Sequence, residues 1–442
     1  MPVRNLLTIS AVLFFSLACY FRADRNRYAS TLAEAMNLIE ANYVEKVDPR
    51  ALYEHAMQGL ASSLDANSRY ISPRDYRHLL EGLDQQFGGI GILVEVNREK
   101  KRLMVLKTII DTPAYAAGIK ASDLILKIDD RDTLNVSVEV AADLMRGKPG
   151  TTVTLSVLHT GEEAPVDLTL TRAVIPIESV LGDEPQPDGG WSFQLESHPR
   201  VTYIRLIKFG ERTAEELSKI LAGRSVEALI LDLRDNSGGL LTGAVSTCDL
   251  FLERGAIVST RGRQGRAERT FHAGAHPLLD RDVPMVVLTN QFTASASEIV
   301  AACLQDHGRA KIVGQRTFGK GTVQNVLELE GGRAALKLTT ASYWRPSGKN
   351  IQRRKDAGED EDWGVRPDAG FEVVLTDEEL KRLRQQRRDR DLLLIPEPGA
   401  EPSPKGSAAP PGPVDDRQLR KAAEYIEKQL RQSDARRGDK TP

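Results

Sequence analysis

Apolar residues recur every three or four positions between residues 28 and 84. This spacing places them on one face of a helix, so a helical region is predicted whose apolar stripes pack together. Ser72, Pro73 and Asp75 form a capping box with proline at the first helical position, which predicts that a helix begins there. The stripes consist of Leu32, Met36, Ile39 and Tyr43, followed by Leu52, Tyr53, Ala56, Met57 and Leu60.

Between residues 85 and 174 the apolar period falls to two, starting after the glycine cluster at residues 88–91. Such alternation is typical of strands that are buried on one face. The pattern predicts a small, mainly β domain. Its strands are expected at 103–110, 124–128, 153–157 and 166–174, with one helix near 138–145.

From residue 175 to residue 376 buried apolar runs alternate with helical patterns. That order predicts an α/β core. The whole chain is therefore predicted to be an α/β multidomain protein, in which the small β domain is inserted between a helical N-terminal region and the core. Strands are expected at 201–207, 228–233, 285–288 and 323–327, and helices from Thr213, near 242–252 and near 297–305.

The C-terminal part of the chain changes character twice. Residues 377–395 predict a highly charged helix, and residues 396–413 hold seven of the 22 prolines, which indicates a semi-rigid linker. Residues 414–442 predict an amphipathic helix followed by a polar end. That helix either packs on the core or mediates dimerisation, and the pattern favours neither.

Residues 1–27 contain an almost unbroken apolar run from Leu6 to Phe21 with positive charge on both sides. Its length lies between the apolar core of an export signal and the roughly 20 residues of a membrane span, and no A-x-A cleavage pattern follows. We interpret the segment as a signal anchor, with a cleaved signal peptide as the alternative. A bacterial-type cell envelope is the expected location, either anchored in the inner membrane or in the periplasm.

Composition excludes several classes of protein. The 442 residues include 60 Lys and Arg against 62 Asp and Glu, so the net charge of −2 provides no basic field for nucleic acid. The cysteines are only Cys19, Cys248 and Cys303, which excludes a disulfide framework and a clustered-thiolate metal site. No H-E-x-x-H, Walker or dinucleotide motif occurs, and neither a metal nor a cofactor is expected.

Ser295 and Ala296 stand where a buried strand is predicted to end and a helix to begin. Backbone N–H groups at a helix start lack partners and can stabilise an oxyanion. A nucleophilic serine is one interpretation; the other is that Ser295 or Ser297 merely caps the helix. His307 lies twelve residues further along, about 18 Å on a continuous helix, and is too far away to act as the base.

Lys320 lies between two glycines before an apolar strand and is predicted to point inward. Burial lowers the pKa of a lysine, so its neutral amine can serve as general base for Ser295. Gln324, four residues on and expected on the same side of one strand, would hold that amine. A surface lysine in a turn is the alternative.

Three segments in order, T-A-S-A-S-E-I, Q-D-H-G-R-A and F-G-K-G-T-V-Q, resemble the core of the C-terminal processing proteases. The resemblance extends over residues 28–376 and includes L-D-L-R-D-N-S-G-G-L upstream and A-S-Y-W-R-P-S-G-K downstream. It implies Ser295 as nucleophile, Lys320 as base and Gln324 as orienting group. The implied oxyanion hole is the Ala296 N–H with that of Gly238 or Gly239.

The β domain at residues 85–174 resembles a PDZ domain, through P-A-x-x-A-G and D-x-I-x-x-I-D in the order of that family. The resemblance implies that a peptide tail adds to a strand edge while the loop Gly89, Ile90, Gly91 and Ile92 binds its terminal carboxylate. Arg146 lies where some family members use an arginine for regulation. L-D-A-N-S-R-Y departs from the family's L-D-P-H-S-x-Y, outside the proposed dyad.

The sequence thus predicts a serine endopeptidase that recruits proteins or peptides through exposed C-terminal tails. No nucleic-acid partner is expected, the N-terminal apolar segment implies contact with the membrane, and a homodimer or an adaptor partner is open. A catalytically silent PDZ scaffold on a protease fold is the alternative. A crotonase-like acyl-transfer enzyme would explain the N–H donors at Ala296 but not the PDZ domain.

An uncleaved anchor predicts that the mature protein keeps residues 1–27, because no cleavage site follows the apolar run. Mass spectrometry of the mature N-terminus measures this. A first residue beyond Ala23 would show that a signal peptide is removed.

Overall fold

The computed structural model describes residues 5, 9–17, 27–186, 189–275, 277–358, 360–392 and 414–438. Most of the predicted anchor and the linker at residues 396–413 lie outside the described residues. Among the described helices, none is long and apolar enough to cross a membrane. The chain forms two compact units, Met1–Arg77 with Gln324–Thr339 and His78–Val323 with Thr340–Pro442.

The helices are α1 (Arg27–Asn42), α2 (Pro49–Ser62), α3 (Pro73–Asp84), α4 (Pro113–Ala116), α5 (Val138–Met145), α6 (Thr213–Ala222), α7 (Leu241–Asp249), α8 (Ala296–Asp306), α9 (Asp377–Leu392) and α10 (Arg417–Gly438). The strands before the core are β1 (Arg69–Ile71), β2 (Gln86–Gly89), β3 (Ile92–Val96), β4 (Leu103–Thr108), β5 (Leu124–Ile128), β6 (Arg131–Asp132), β7 (Thr152–Leu158), β8 (Val166–Thr171) and β9 (Ala173–Pro176). Those of the core are β10 (Val180–Leu181), β11 (Glu184–Pro185), β12 (Trp191–Ser192), β13 (Gln194–Leu195), β14 (His198–Leu206), β15 (Ala228–Asp232), β16 (Ala256–Arg261), β17 (Ala267–His272), β18 (Met285–Thr289), β19 (Lys311–Gly314), β20 (Thr322–Leu329) and β21 (Ala334–Trp344).

The first unit contains α1, α2 and β1, and β1 pairs with the first part of β21. Helix α1 has no buried residue, and Leu32 and Ile39 are 41% and 40% exposed. The prediction that this stripe is buried is therefore wrong for α1, because Met36 is only half-buried and the other residues of the stripe on this helix stay exposed. The predicted helix start at Pro73 is confirmed, and Ser72 Oγ accepts the N–H of Asp75 at 3.3 Å.

The small β domain lies in the second unit and has the strand order β3-β4-β5-β7-β8, with β6 on β5. The predicted strand at 124–128 and the helix at 138–145 are confirmed. Alternating residues of β4 and β7, such as Leu103, Val105 and Leu155, fill its core. Strand β3 ends this order, so one of its hydrogen-bonding edges is unused within the sheet.

The core sheet has the order β10-β14-β15-β18-β19, and its last four strands are parallel. Parallel strands are usually covered on both faces. Leu229 and Leu231 of β15 face a cluster with α6, α7 and α8. Ile230 of the same strand faces the opposite cluster, which contains residues of α10. The α/β core predicted from the alternation of strands and helices is thus confirmed.

Helix α10 packs on the second face of the core sheet. Ala422, Ala423 and Ile426 are buried there in one cluster with Tyr203 and Val286. Of the two interpretations of the C-terminal helix, packing on the core is the one that the structure shows.

A buried ion-pair network ties the C-terminal segment to the end of β15. Arg234 donates to Asp232 from Nε at 3.0 Å, and to Asp416 from Nη1 and Nη2 at 2.8 Å each. Arg387 of α9 donates to the same Asp232 at 2.7 Å. Burial opposes ionisation of Asp416, but the charge of Arg234 prevails and lowers the pKa of the carboxyl.

Replacing Asp416 with alanine should lower the free energy of unfolding by about 3 kcal/mol, the low end for breaking a buried ion pair, because Arg234 keeps Asp232. Urea unfolding at pH 7 measures this. Because the folded pKa of Asp416 is lowered, its stabilisation is present at neutral pH. It is lost as the pH falls through that folded pKa, so variant and wild type should converge in acid.

Asp415→Ala is the matched control, because the neighbouring carboxylate is exposed and pairs with Arg420 at the surface. Its loss should stay below about 1 kcal/mol. Equal losses in the two variants would contradict the assigned role of Asp416.

Candidate active site

Three loops leave the same edge of the core sheet. Strands β15, β18 and β19 are adjacent and parallel, with Leu231 opposite Val287 and Val287 opposite Ile312. Because carboxyl ends of parallel strands meet at one edge, the following loops at 233–240, 290–295 and 315–321 emerge together. They contain the predicted oxyanion glycines, the predicted nucleophile and the predicted lysine.

Ser295 immediately precedes α8 and has an unusual backbone, with φ 56° and ψ −116°. A positive φ is uncommon for a residue with a Cβ and concentrates at functional sites. Its side chain is almost buried, at 7% exposure. Ser297, by contrast, donates its hydroxyl to Asn236 O at 2.9 Å, which gives it a structural role.

The phenol of Tyr343 lies beside the Ser295 side chain. Burial raises the pKa of Tyr343 to about 12, while the neighbouring Ser295 side chain acts in the opposite direction. The phenol is therefore protonated at neutral pH. Tyr343 belongs to the A-S-Y-W segment, but no sequence pattern signalled its contact with the serine.

Gly238 lies directly against the serine loop. Its φ is +101°, and a Cβ built on it would lie 2.9 Å from Ala296 N and 3.0 Å from Ser295 Cβ. Both observations require glycine at this position. Its N–H donates to Asn236 Oδ1 at 2.9 Å, so this donor already has a partner.

The N–H of Gly239 faces the other way. Phe209 donates to Gly238 O at 3.1 Å and accepts from Leu240 N at 2.7 Å, which leaves the polar groups of Gly239 directed away from Phe209. No acceptor for the Gly239 N–H is found in the described part of the chain.

One carboxylate joins the serine loop to the lysine loop. Glu298 Oε2 accepts the N–H of Ser295 and that of Lys320, each at 2.8 Å. The two backbone nitrogens are therefore separated by at most twice that distance. Glu298 Oε1 accepts from Thr317 Oγ1 and Gly319 N, each at 2.6 Å. Sequence reasoning missed this role, although Glu298 stands in the S-A-S-E segment where a capping box was a readable signal.

Glu298 is fully buried, at 0% exposure. Burial raises the pKa of its carboxyl, and the four hydrogen bonds lower it only in part.

Lys320 lies in a loop. Strand β20 begins at Thr322, so the expectation that Lys320 and Gln324 share one strand is wrong, and strand alternation does not set the direction of the lysine. The preceding strand β19 ends at Gly314, so Lys320 lies in the loop of residues 315–321. Gln324 itself belongs to the first unit.

In the first unit Gln324 Nε2 donates to Thr339 Oγ1 at 3.3 Å, and Thr339 Oγ1 donates to Asp65 Oδ1 at 3.2 Å. Asp65 also accepts the Ser68 hydroxyl at 2.7 Å. Burial alone would raise the pKa of the Asp65 carboxyl, but the hydrogen bonds prevail and lower it. The L-D-A-N-S-R-Y segment thus binds Thr339 of β21, which in turn accepts the bond from Gln324 of β20.

The predicted carboxylate loop of the β domain stands beside the edge strand β3. Gly89 ends β2, Gly91 has a φ of +83° and Ile92 begins β3. Ile90 is 2% exposed, so its side chain belongs to the domain core and only its backbone can contact a peptide.

Arg146 follows helix α5 directly. Its Nη1 donates to Glu81 Oε2 at 2.9 Å, and its guanidinium lies over the Phe87 ring, 4.7 Å from the centroid. The predicted regulatory arginine is thus bound to α3 and to the strand that precedes the carboxylate loop.

His307 plays no part near the serine. It follows the C-terminal end of α8, and its Nε2 lies 2.7 Å from Ala256 O. Among the described residues, no group of three or more His, Cys, Asp or Glu side chains is placed to hold a metal ion.

Comparison with known proteins identifies the family of this chain. A model of peptidase family S41 matches residues 200–370, and a PDZ domain model matches residues 88–170. The carboxy-terminal-processing protease of Bartonella bacilliformis is 34% identical over 96% of this chain and 96% of that protein. The chain belongs to the carboxy-terminal-processing proteases. The carboxyl-terminal-processing protease of a Picosynechococcus species is 38% identical over 68% of this chain and 70% of its own.

Among solved structures, a photosystem II D1 C-terminal processing protease covers 77% of this chain and 92% of its own, with 27% identity and a TM-score of 0.41. The family assignment rests on the sequence matches. The protein is therefore a serine-type peptidase with a PDZ domain, as the resemblance implied.

Gly238→Ala should lower the kcat of this protease by about a hundredfold or more, because the new Cβ would displace the Ala296 N–H and the Ser295 side chain. Steady-state kinetics on a tailed peptide measures this. Gly223→Ala is the control, since Gly223 has an ordinary φ of −82° at the end of α6 and its nearest contact for a Cβ is at 3.5 Å. An unchanged kcat in Gly238→Ala would show that Gly238 has no role in the active site.

Proposed function

We propose that the protease hydrolyses peptide bonds with Ser295 as nucleophile and Lys320 as general base. The observation that carries this proposal is the shared bond acceptor, Glu298 Oε2, which receives the backbone N–H of both residues at 2.8 Å. Their side chains therefore begin from neighbouring backbone positions at one edge of the sheet. Tyr343 completes the surroundings of the hydroxyl.

The neutral amine of Lys320 takes the Ser295 hydroxyl proton while Oγ attacks the substrate carbonyl carbon. The tetrahedral intermediate collapses, its C–N bond breaks, and the lysine returns the proton to the leaving amine. The same amine then deprotonates a water molecule that attacks the acyl carbon, the ester C–O bond breaks, and the lysine returns the proton to Ser295 Oγ. Gln324 is proposed to orient the amine, on the basis of the family resemblance.

Two N–H groups are proposed to stabilise the oxyanion. Ala296 is the first residue of α8, where a backbone N–H has no partner within the helix. Between the two glycines, Gly239 is favoured over Gly238, because the N–H of Gly238 already donates to Asn236. Both donors lie at the positive end of the α8 dipole or beside it.

Substrates are proposed to be proteins with exposed C-terminal tails. A tail would pair with the unused edge of β3, and its carboxylate would reach the backbone of residues 89–92. Arg146, bound to Glu81 and Phe87, is proposed to transmit that binding. The apolar run at residues 6–21 supports a place in the cell envelope, with the N-terminal segment in contact with the membrane.

Ser295→Ala and Lys320→Met should each lower the cleavage of a tailed peptide by about 10⁴-fold or more while the protein stays folded. Lys219→Met, at an exposed lysine of α6, is the control and should leave cleavage unchanged. Near-full activity in Lys320→Met would exclude this lysine as the base. Full activity in Ser295→Ala would exclude the nucleophile, and inactivity of the wild type on every tailed peptide would favour the silent scaffold.

A further inference from the structure

The carboxylate of Glu298 makes more bonds than its position in the helix requires. A glutamate at the third position of a helix ordinarily bonds the N–H of the cap residue, here Ser295. Glu298 also accepts three donors from the loop that follows β19. They are Thr317 Oγ1, Gly319 N and Lys320 N, all between 2.6 and 2.8 Å.

The four donors match what an ionised carboxylate can accept. Such a group has two oxygens with about four acceptor positions and no donor. Here every position is used, two on each oxygen. Without them, a buried carboxylate would cost several kcal/mol. The loop and the glutamate therefore depend on each other.

We propose that Glu298 is a positioning residue, which fixes the backbone of the nucleophile and that of the general base on one oxygen atom. The inference rests on the Ser295 and Lys320 roles proposed above. It extends them, because it assigns the relative placement of Ser295 and Lys320 to a residue that touches neither the substrate nor the reacting atoms.

Thr317 strengthens the link. Its Oγ1 donates to Glu298 and accepts the N–H of Val365 at 2.8 Å. Phe318 N donates to Thr293 O, in the serine loop, at 2.9 Å. The lysine loop is thus held against the serine loop at several points, and Glu298 Oε2 binds the backbone of both dyad members.

Glu298→Gln tests the proposal with almost no change in volume. The amide keeps one acceptor oxygen and replaces the other with an NH2 group, which only donates. The two donors that bonded the replaced oxygen then have no acceptor there. We expect kcat per folded enzyme to fall about 30-fold or more while KM changes less than threefold. The acid limb of the kcat–pH profile should shift by at least half a pH unit, because the amine of Lys320 moves relative to the hydroxyl. A purely structural role would lower the folded fraction and leave that profile in place.

Glu216→Gln is the matched control. Its carboxylate also accepts hydrogen bonds, from Ser179 N at 3.2 Å, Ser179 Oγ at 2.9 Å and Gln85 Nε2 at 3.3 Å, but it lies on α6. This variant should lose stability and keep its kcat and pH profile. Urea unfolding gives the folded fraction of each variant.

Wild-type kcat and pH profile in folded Glu298→Gln would overturn the inference. If that variant does not fold, Thr317→Val decides, because it removes one bond to Glu298 and the bond from Val365 N, and spares the Glu298 bonds of Ser295 and Lys320. Its kcat should then fall three- to tenfold, and an unchanged kcat would count against the proposal. Activity in Lys320→Met would instead overturn the dyad itself, so the two failures are distinguishable.

Discussion

Parallel pairing of β15, β18 and β19 is the constraint on which the site depends. Hydrogen bonds hold Leu231, Val287 and Ile312 in register, so each strand releases its loop at the same sheet edge. The core clusters on both faces hold this register. A shift of one strand by one residue would turn its apolar side chains to the wrong face and separate the loops. The positions of the loops that carry the proposed catalytic residues are thus set by the packing of the core sheet.

Buried polar groups then hold the loops in place. Asp232 and Arg234 start the glycine loop and bind the C-terminal segment through Asp416. Glu298 binds the other two loops to each other. Removing such groups from water is costly, and apolar residues would often be as stable. What the buried bonds provide is direction, because each fixes one donor on one acceptor, which apolar packing does not do.

Local patterns predicted much of this. The strand at 124–128, the helix at 138–145 and the strand-to-helix junction at Ser295 depend on neighbours within a few residues, and periodicity reads such neighbours. The contacts of Tyr343 and Asp416 join residues far apart in the sequence, so no spacing signals them. Helix α1 shows a different failure of periodicity. Its apolar stripe predicts burial, but none of its residues is buried in the described part of the first unit.

The backbone of Ser295 shows why these distant contacts matter for catalysis. A non-glycine residue at φ 56° and ψ −116° costs of order 1–3 kcal/mol, and a loop free to relax would leave that conformation. Asn236 O accepts Ala294 N at 3.0 Å just before the serine, and Glu298 binds the serine N–H itself. Gly238 leaves the space that the serine side chain needs. The strain is therefore maintained by Glu298, within the helix that the serine caps, together with Asn236 and Gly238 of the glycine loop. Preorganisation of the nucleophile is accordingly a property of the three loops together.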